Sequence, residues 1–558
     1  ANTTGEKNTG LGYGALQSNT TGIRNTAVGM NCLQNSTTGS ENTAVGTAAL
    51  DANTTASNNT AVGKSALQAN TTGESNTAVG AFALEVNTDG TRNTAVGYEA
   101  LEDNTGSYNT GVGYLALNKN TTATYNTGLG YNAGSEITTG ANNTVVGGNA
   151  LDALTTGSGN VAIGYRALTL ATTSSNNTAV GVDALLLNTT GASNTAVGSN
   201  ALDANTTASY NTSVGSNSLT TNTTGSDNTA LGYDAMQANT TGSENVAIGK
   251  QALDANTDGG RNIAVGKYSL SENTTGTGNV AVGDQASYTN ITGSNSVAIG
   301  RRALYLNTGS ENVAVGAYAG EDLVGLYNTL IGYTAGRNIT TATGNTVVGH
   351  NCLVALQTGN NNVSIGMNNL YQADGGNNNV AVGAGAGSAV TSGYSNTMIG
   401  INAGMSISTG SNNTCIGLNS NVGSGGGSTN SVTLGDGNIT SLRCADTSIS
   451  SLSDRRDKKN ITDLPEGIDF INKLRPVKFE WDTREGLPAK DGTIRAGFIA
   501  QELQEAQSGS EYLDLVMDSN PDKLEAKQGK LIPVLVQAIK DLSAENTALK
   551  ARLDAAGL

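Results

Sequence analysis

The sequence predicts a trimeric all-β solenoid, or β-roll, with coils of about 17 residues, followed by a small α+β domain that ends in a coiled-coil helix. Three observations lead to this prediction. A short motif returns at a constant spacing over most of the chain, glycine, asparagine and threonine dominate that repeat, and the composition changes abruptly near residue 440. The chain therefore consists of two parts of different character, joined near that point.

The repeat has a nearly constant length. The motif Asn-Thr-Ala-Val-Gly occurs at Asn25–Gly29 and Asn42–Gly46, and its last glycine has 26 copies between Gly12 and Gly435. Of the 25 intervals between these glycines, 21 equal the spacing from Gly29 to Gly46, three are one residue shorter and the last is one residue longer. A period this strict indicates that each repeat is one structural step stacked on the next.

The residues of a single repeat predict the shape of one coil. Thr-Ala-Val alternates polar and small apolar residues, as a strand does. A second apolar pair three residues past the glycine, such as Ala49-Leu50, predicts a second short strand. Asn-Thr-Thr-Gly, as at Asn70–Gly73, predicts a turn whose glycine takes a positive φ. Two strands and two turns make one coil, and helices are disfavoured because glycine, asparagine and threonine dominate.

The core of such a coil is thin. Each repeat offers about three or four apolar side chains, and stacking identical coils compensates because every coil covers the faces of its neighbours. Asparagines repeated at one position are expected to form hydrogen-bonded ladders along the axis. Three chains wound together would bury still more, so we expect a homotrimer. With strands about 4.8 Å apart, the coils predict a rod of roughly 125 Å.

The repeat also resembles a known class of adhesin. Asn295-Ser-Val-Ala-Ile-Gly300 and Asn160-Val-Ala-Ile-Gly164 are similar to the head repeats of YadA-type trimeric adhesins, which form left-handed β-rolls. Those repeats are usually shorter than the repeat of this chain. The resemblance implies a trimeric adhesive architecture and names no ligand.

Charge separates residues 453–558 from the rest of the chain. They contain 16 Lys and Arg and 19 Asp and Glu, whereas residues 1–452 contain 13 and 26. All five prolines and the only tryptophan, Trp481, also follow residue 452. We therefore predict a solenoid shaft at 1–437, a linker at 438–452 and a C-terminal domain at 453–558. Ala1 begins within a repeat, so we expect the natural chain to start upstream.

Composition disfavours several classes of partner. The acidic, lysine-poor repeats argue against a nucleic-acid partner, because phosphate binding needs clustered basic residues. No run of about 18 apolar residues occurs, so no membrane insertion is expected. The cysteines are far apart and lack metal-type spacing, which predicts isolated thiols, no metal and no cofactor. They are Cys32, Cys352, Cys415 and Cys444.

Tyrosines recur at the position just after the motif glycine. Tyr98, Tyr114 and Tyr131 occupy it in three consecutive coils, which predicts a ladder of rings on one face. Because sugars bind aromatic platforms, these three residues are candidate receptor contacts. Ordinary packing between coils is the alternative, and it is the one that the spacing alone favours.

The other chemically interesting residues of the shaft have plainer explanations. The single histidine, His350, occupies the same variable position and is expected to be a surface residue. Aspartates recur after Ala-Leu, and paired carboxylates about 5 to 10 Å apart hydrolyse glycosidic bonds. No histidine and no aromatic cleft accompany them, so solvated surface charge is the favoured interpretation. These aspartates are Asp51, Asp152, Asp203 and Asp254.

A charged segment opens the C-terminal part. In Ser453-Asp-Arg-Arg-Asp-Lys458 a serine precedes a lysine by five residues, and no histidine follows residue 350. A serine there would need lysine as its base, and the lysine would have to be neutral through desolvation or neighbouring positive charge. From these residues alone, a solvated turn or a helix cap is the favoured interpretation.

The same segment resembles the start of the intramolecular chaperone domain of phage tailspikes and tail fibres, the peptidase S74 family typified by endosialidases. Further matching segments are Leu474–Trp481, Gly497–Glu502 and Lys530–Ile539. In that family the chaperone assembles a trimeric fibre and then cuts itself off. The resemblance implies a cut between Leu452 and Ser453, with Ser453 as nucleophile and Lys458 as general base.

The C-terminal heptads support a trimer separately. Leucines repeat every seven residues, and an Ile, Asn or Leu follows each of them by four residues. A polar residue at one such position commonly fixes the register of a coiled coil, and leucine at the first position favours more than two strands. The heptad residues are Leu535, Ile539, Leu542, Asn546, Leu549 and Leu553.

Together these features predict a trimeric phage tail fibre, made in the host cytoplasm and carried on the virion, that binds a host-cell surface glycan or protein. Its self-cleavage would be a single maturation event, and a missing N-terminal region would join it to virion tail proteins. The alternatives are a tailspike depolymerase that degrades surface polysaccharide and a bacterial trimeric adhesin.

Overall fold

The computed structural model describes residues 2–423, 425–439, 443, 453–480, 482, 492–518 and 524–558. Contacts divide the chain into two compact units, Ala1–Val348 and Gly349–Leu558. Most of the predicted linker, 440–442 and 444–452, lies outside the described residues, as does Cys444. The predicted boundaries at residues 437 and 452 stay a prediction.

The first unit is a β-solenoid with one three-residue strand per coil. Neighbouring strands are parallel and in exact repeat register, so that Thr60 pairs with Thr77 and Ala61 with Ala78. The middle residue of most strands is buried, and the flanking two point outward. The strands are β1 Thr9–Leu11, β2 Thr26–Val28, β3 Thr43–Val45, β4 Thr60–Val62, β5 Thr77–Val79, β6 Thr94–Val96, β7 Thr110–Val112, β8 Thr127–Leu129, β9 Thr144–Val146, β10 Val161–Ile163, β11 Thr178–Val180, β12 Thr195–Val197, β13 Thr212–Val214, β14 Thr229–Leu231, β15 Val246–Ile248, β16 Ile263–Val265, β17 Val280–Val282, β18 Val297–Ile299, β19 Val313–Val315, β20 Thr329–Ile331 and β21 Thr346–Val348.

The predicted second strand is wrong. The Ala-Leu segment is a series of turns, in which Ala48 and Leu50 take left-handed conformations with φ of 60° and 55°. The Ala48 N–H donates to Met30 in the preceding coil, and the Leu50 N–H donates to Ala66 in the following coil. Residues in alternating left-handed conformations therefore form backbone hydrogen bonds to both neighbouring coils without forming a strand. Ala49 and Leu50 remain fully buried.

The predicted glycine conformation is also wrong. Gly73, in the Asn-Thr-Thr-Gly turn, does not have a positive φ, whereas the motif glycine Gly80 has a φ of 139°. A Cβ at Gly73 would overlap the carbonyl oxygen of Gly90 and lie 2.5 Å from Asn70 Oδ1. Gly73 is needed for space, and Gly80 is needed for backbone conformation.

The thin core and the asparagine ladders are confirmed. A typical coil buries three apolar side chains, such as Ala78, Ala83 and Leu84. The amide of Asn59 donates to the Gly73 carbonyl at 2.8 Å, and its Oδ1 accepts the Asn76 N–H at 2.8 Å. This pattern repeats along the coils, so fully buried asparagines connect most coils to the next, and Ser296 takes the place of asparagine in one of them.

The second unit begins with five more coils of the same kind, whose strands are β22 Val363–Ile365, β23 Val380–Val382, β24 Thr397–Ile399, β25 Thr414–Ile416 and β26 Val432–Leu434. The C-terminal part contains the helices α1 Ile468–Ile471, α2 Ala500–Ala506 and α3 Ile532–Ala555 and the antiparallel strand pairs β27 Val477–Phe479 with β28 Arg495–Gly497 and β29 Val516–Met517 with β30 Glu525–Ala526. Short 3₁₀ turns occur at Arg455–Asp457, Glu511–Leu513 and Gln528–Leu531. This agrees with the predicted α+β domain ending in a helix.

A small apolar core holds the C-terminal part together. Phe470 of α1, Leu503 of α2 and Val534 of α3 are buried in it together with Leu515. Asp541 of α3 accepts the N–H of Ile468 at 3.1 Å and thereby satisfies the first turn of α1. None of the helices in the described part of the chain has the length and apolar character that a membrane span requires.

Candidate active site

The segment at the start of the C-terminal part folds into one tight turn. Asp454 caps it, because its carboxylate accepts the N–H of Arg456 at 2.8 Å. The Asp457 N–H donates to the Asp454 carbonyl, and the Lys458 N–H donates to the Arg455 carbonyl, each at 3.2 Å. A single 3₁₀ turn therefore lies between residues 453 and 458.

The turn brings the two predicted site residues into contact. Lys458 Nζ donates to Ser453 Oγ at 2.7 Å. Both residues are exposed in this chain. A hydroxyl and an amine at this distance are placed for direct proton transfer, provided that the amine is neutral.

The neighbouring carboxylate, that of Asp454, forms an ion pair with Arg456. Arg456 Nη2 donates to Asp454 Oδ2 at 2.6 Å, and Arg456 Nε lies 3.1 Å from both carboxylate oxygens. The Arg456 guanidinium and the Arg456 N–H hold the pKa of Asp454 below its usual value. Asp454 is thus kept ionised and bound to Arg456, which leaves Lys458 free to face Ser453. This pair was not predicted, although its opposite charges are two residues apart in the sequence.

Leu452, the predicted residue on the other side of the cut, lies outside the described residues. Whether its carbonyl is within reach of Ser453 Oγ therefore stays a prediction, as do the catalytic roles of Ser453 and Lys458.

The predicted tyrosine ladder is present. The Tyr98 and Tyr114 rings have centroids 5.4 Å apart with planes at 11°, and Tyr114 and Tyr131 are 5.4 Å apart at 7°. About half of each residue's surface is exposed, from 42% at Tyr98 to 55% at Tyr131. A second pair, Tyr108 and Tyr125, stacks at 4.9 Å and was not predicted. Contact with a receptor stays a prediction.

The remaining sequence candidates do not form a site. His350 is exposed, as predicted. The four aspartates are half-buried, and burial raises their pKa values, so they are less solvated than the sequence predicts. They stand three or six coils apart, about 14 Å or more at the usual strand spacing, which exceeds the separation of glycosidase carboxylates. The described residues contain no His, Cys, Asp and Glu group suited to a metal ion.

Ser453, at the start of the 3₁₀ turn described above, is also the first residue matched by a protein-family model. Residues 453–512 match the family model described as the chaperone of endosialidase. The peptidase S74 family implies a self-cleaving intramolecular chaperone in the C-terminal part, as the resemblance of the charged segment predicted. No curated protein and no solved structure matches the chain.

Proposed function

We propose that this chain is part of a trimeric phage tail fibre whose C-terminal domain assembles the shaft and then releases itself by cutting between Leu452 and Ser453. The observation that supports this most directly is the 2.7 Å contact between Lys458 Nζ and Ser453 Oγ at the start of the family match. The coils supply a fibre shaft, and the matched residues supply the chaperone. This combination fits a protein of the tail fibre or tailspike kind.

The cleavage would proceed as an acyl transfer followed by hydrolysis. Neutral Lys458 accepts the Ser453 hydroxyl proton while Oγ attacks the carbonyl carbon of Leu452. The C–N bond breaks, and the nitrogen of Ser453 leaves with the proton that Lys458 returns. Water then hydrolyses the ester, which frees the Leu452 carboxylate and restores the hydroxyl. The reaction occurs once per chain.

The terminal helix supports a homotrimer. α3 buries one face in the core of the C-terminal part, yet its heptad leucines are half exposed. Leu535 is 44% exposed, Leu542 48% and Leu549 50%, and Ile539 between the first two is 66% exposed. Apolar residues repeating at heptad spacing are covered when helices associate. The heptad run itself covers only about two heptads, which are marginal in isolation, so association would stabilise this part of α3.

Receptor binding is the remaining part of the proposal. The exposed tyrosine ladder offers a surface for a host-cell glycan or protein, and the fibre would act on the virion after synthesis in the host cytoplasm. The proposal includes attachment of the fibre to virion tail proteins. The depolymerase alternative would require a carboxylate pair other than the four aspartates, and the adhesin alternative lacks an explanation for the chaperone match.

The test is the mass of the expressed chain on a denaturing gel. Wild-type protein should yield two pieces, one ending at Leu452 and one beginning at Ser453, whereas Ser453→Ala should yield one intact chain. Ser451→Ala is the matched control, because it removes a neighbouring hydroxyl and should leave cleavage unchanged. If wild type and Ser453→Ala run identically, the cleavage proposal is wrong.

A further inference from the structure

The tyrosine ladder is interrupted by one glycine. Tyr131 is followed at the same position of the next coil by Gly148, and the coil after that carries Tyr165. The three positions lie in register, because the Asn149 N–H donates to the Tyr131 carbonyl at 2.9 Å and the Arg166 N–H donates to the Gly148 carbonyl at 3.1 Å. Two exposed rings thus border a coil position that has no side chain.

The backbone does not require a glycine at this position. Gly148 lacks the positive φ of the motif glycines. A Cβ at Gly148 would meet only the Tyr165 ring, at 3.6 and 4.0 Å, which is ordinary contact, whereas a Cβ at the preceding Gly147 would collide with backbone. The missing side chain at 148 therefore reflects neither strain nor crowding.

The interruption leaves a slot that is one coil position wide. Tyr165 lies two coils after Tyr131, with the coil of Gly148 between them, which corresponds to about 10 Å at the usual strand spacing. A six-membered ring midway between them would lie about 5 Å from each tyrosine, within the range in which rings pack. Tyr131 is 55% exposed and Tyr165 is 52% exposed, so the slot is open to solvent.

The surroundings of the slot carry no unpaired charge among the contacts described for its two tyrosines. On the strand side lie the outward residues Leu129 and Ile163, which are 47% and 37% exposed. Asn132 and Asn149 follow Tyr131 and Gly148 in the chain, and the side-chain oxygen of Asn132 is buried. Arg166 lies over the Tyr165 ring, with its guanidinium carbon 5.6 Å from the ring centroid, and its Nε donates to Asp183 Oδ1 at 2.8 Å, so an opposite charge accompanies it. Apolar walls with a few amide and hydroxyl groups suit an uncharged polyhydroxylated ring better than an acidic one.

We propose that the slot between Tyr131 and Tyr165 binds one pyranose ring of an uncharged surface polysaccharide, with the C–H faces of the sugar against the two tyrosines. This inference rests on the proposed receptor-binding function and names its ligand class and site. A pyranose presents apolar C–H faces and hydroxyls at its edge, which matches the two rings and the adjacent amides. The remaining sugars of the chain extend into solvent from the slot.

The test fills the slot without disturbing the fold. Gly148→Tyr supplies the missing member of the ladder, and Ser199→Tyr introduces the same side chain at the same position three coils further on as a control. The full chain is titrated with maltohexaose, cellohexaose and mannohexaose, and with hexagalacturonic acid as an acidic comparison, and binding is followed by saturation-transfer NMR. Wild type and Ser199→Tyr should bind at least one uncharged oligosaccharide within twofold of each other, and Gly148→Tyr should lose at least tenfold in affinity.

A second variant, Tyr165→Leu, removes one wall of the slot and should also weaken binding about tenfold. Binding that survives both Gly148→Tyr and Tyr165→Leu, or wild type that binds only hexagalacturonic acid or none of the probes, would overturn the assignment. The denaturing gel of the same preparations separates the two proposals. If wild type cleaves normally and binds no sugar, only the slot is wrong.

Discussion

The contact between Ser453 and Lys458 depends on very local interactions. One capping carboxylate and one turn of 3₁₀ helix place Lys458 Nζ at 2.7 Å from Ser453 Oγ. Both residues are exposed in the single chain. Because a lysine becomes a base only when burial or nearby positive charge favours its neutral form, we expect assembly of the trimer to cover this pair before cleavage begins.

A charge-preserving substitution tests the role of Lys458. Arginine keeps the positive charge but does not deprotonate in proteins, so Lys458→Arg should leave the chain intact and slow cleavage at least a hundredfold. Lys459→Arg makes the same change one residue away and should cleave at the wild-type rate. The measurement is the cleaved fraction over time on a denaturing gel. Normal cleavage by Lys458→Arg would show that the lysine contributes only charge.

At the scale of the coil, buried asparagines connect neighbouring coils where the apolar core is thin. The amide of Asn76 donates to the Gly90 carbonyl at 2.8 Å, and its Oδ1 accepts the Asn93 N–H at 2.9 Å. Each such residue therefore satisfies backbone groups of the following coil. Because the core of a coil contains few apolar atoms, these bonds determine how well neighbouring coils hold together.

Removing one asparagine should weaken the shaft measurably. Asn76→Ala leaves the buried N–H of Asn93 unpaired, whereas the Gly90 carbonyl still accepts the side-chain amide of Asn87 at 3.0 Å. We expect a loss of about 1–3 kcal/mol. Thr71→Ala is the control, since it removes an exposed hydroxyl whose partner, the Thr88 carbonyl, still accepts the Thr71 N–H at 2.8 Å. Thermal unfolding followed by circular dichroism should show a clearly lower midpoint for Asn76→Ala and a change of about 0.5 kcal/mol or less for Thr71→Ala. Equal midpoints would mean that the ladder is not a source of stability.

The sequence predicted those features of the coil that follow from strict repetition. The period, the Thr-Ala-Val strand, the asparagine ladders and the tyrosine stack all follow from identical residues recurring at one position. The Ala-Leu segment was misread because apolar residues at Ala49-Leu50 suggest burial but carry no signal for the left-handed φ of Leu50. Similarly, the role of Gly73 depends on the carbonyl of Gly90 in the next coil, which local turn rules do not include.

The prediction that Ser453 and Lys458 form a site depended on the family resemblance more than on the physical chemistry of the residues. The residues themselves favoured a solvated turn, and the structure does show an exposed turn capped by Asp454. What the residues alone did not reveal is that this turn brings Ser453 against Lys458. The bond from the Ile468 N–H to Asp541 was equally beyond sequence reasoning, because it joins residues 73 positions apart.

At the scale of the whole chain, repetition creates an ambiguity that the C-terminal part can resolve. Any two strands of the shaft pair in almost the same way, so a slip of one repeat costs little. The three shorter intervals, which end at Gly113, Gly316 and Gly332, interrupt this equivalence in a few places. A trimerising helix at one end would align three chains before the slow, non-local contacts of the coils form, which is the role that we propose for α3.

The pKa values of carboxyl groups shift in opposite directions in the two parts of the chain. Burial raises the pKa values of seven carboxyl groups among the coils of the first unit. In the C-terminal part, hydrogen bonds and ion pairs lower the pKa values of carboxyl groups such as Asp454, Glu502 and Asp514. Acid should therefore affect the two parts differently.

The sign follows from linkage. A carboxyl whose pKa is raised on folding stabilises the fold most at pH values below its pKa in the unfolded chain, near pH 4. This stabilisation is lost as the pH rises through its pKa in the folded chain. A carboxyl whose pKa is lowered on folding stabilises the fold above about pH 4, and this stabilisation is lost as the pH falls through its pKa in the folded chain. Acidification from about pH 7 to pH 3.5 should thus stabilise the coils and destabilise the C-terminal part, the second effect being small because its ion pairs are exposed.

The uncut Ser453→Ala chain allows both responses to be measured together. The described helices all belong to the C-terminal part, so ellipticity at 222 nm reports its melting, and near-ultraviolet tyrosine ellipticity reports the coils. On acidification the helical transition should move down by a few degrees and the tyrosine transition should move up. Salt near 1 M should reduce the first shift, because it screens exposed ion pairs, and should leave most of the second, which arises from burial. If both melting transitions move in the same direction on acidification, the carboxyl pKa values of the two parts are not shifted in opposite directions.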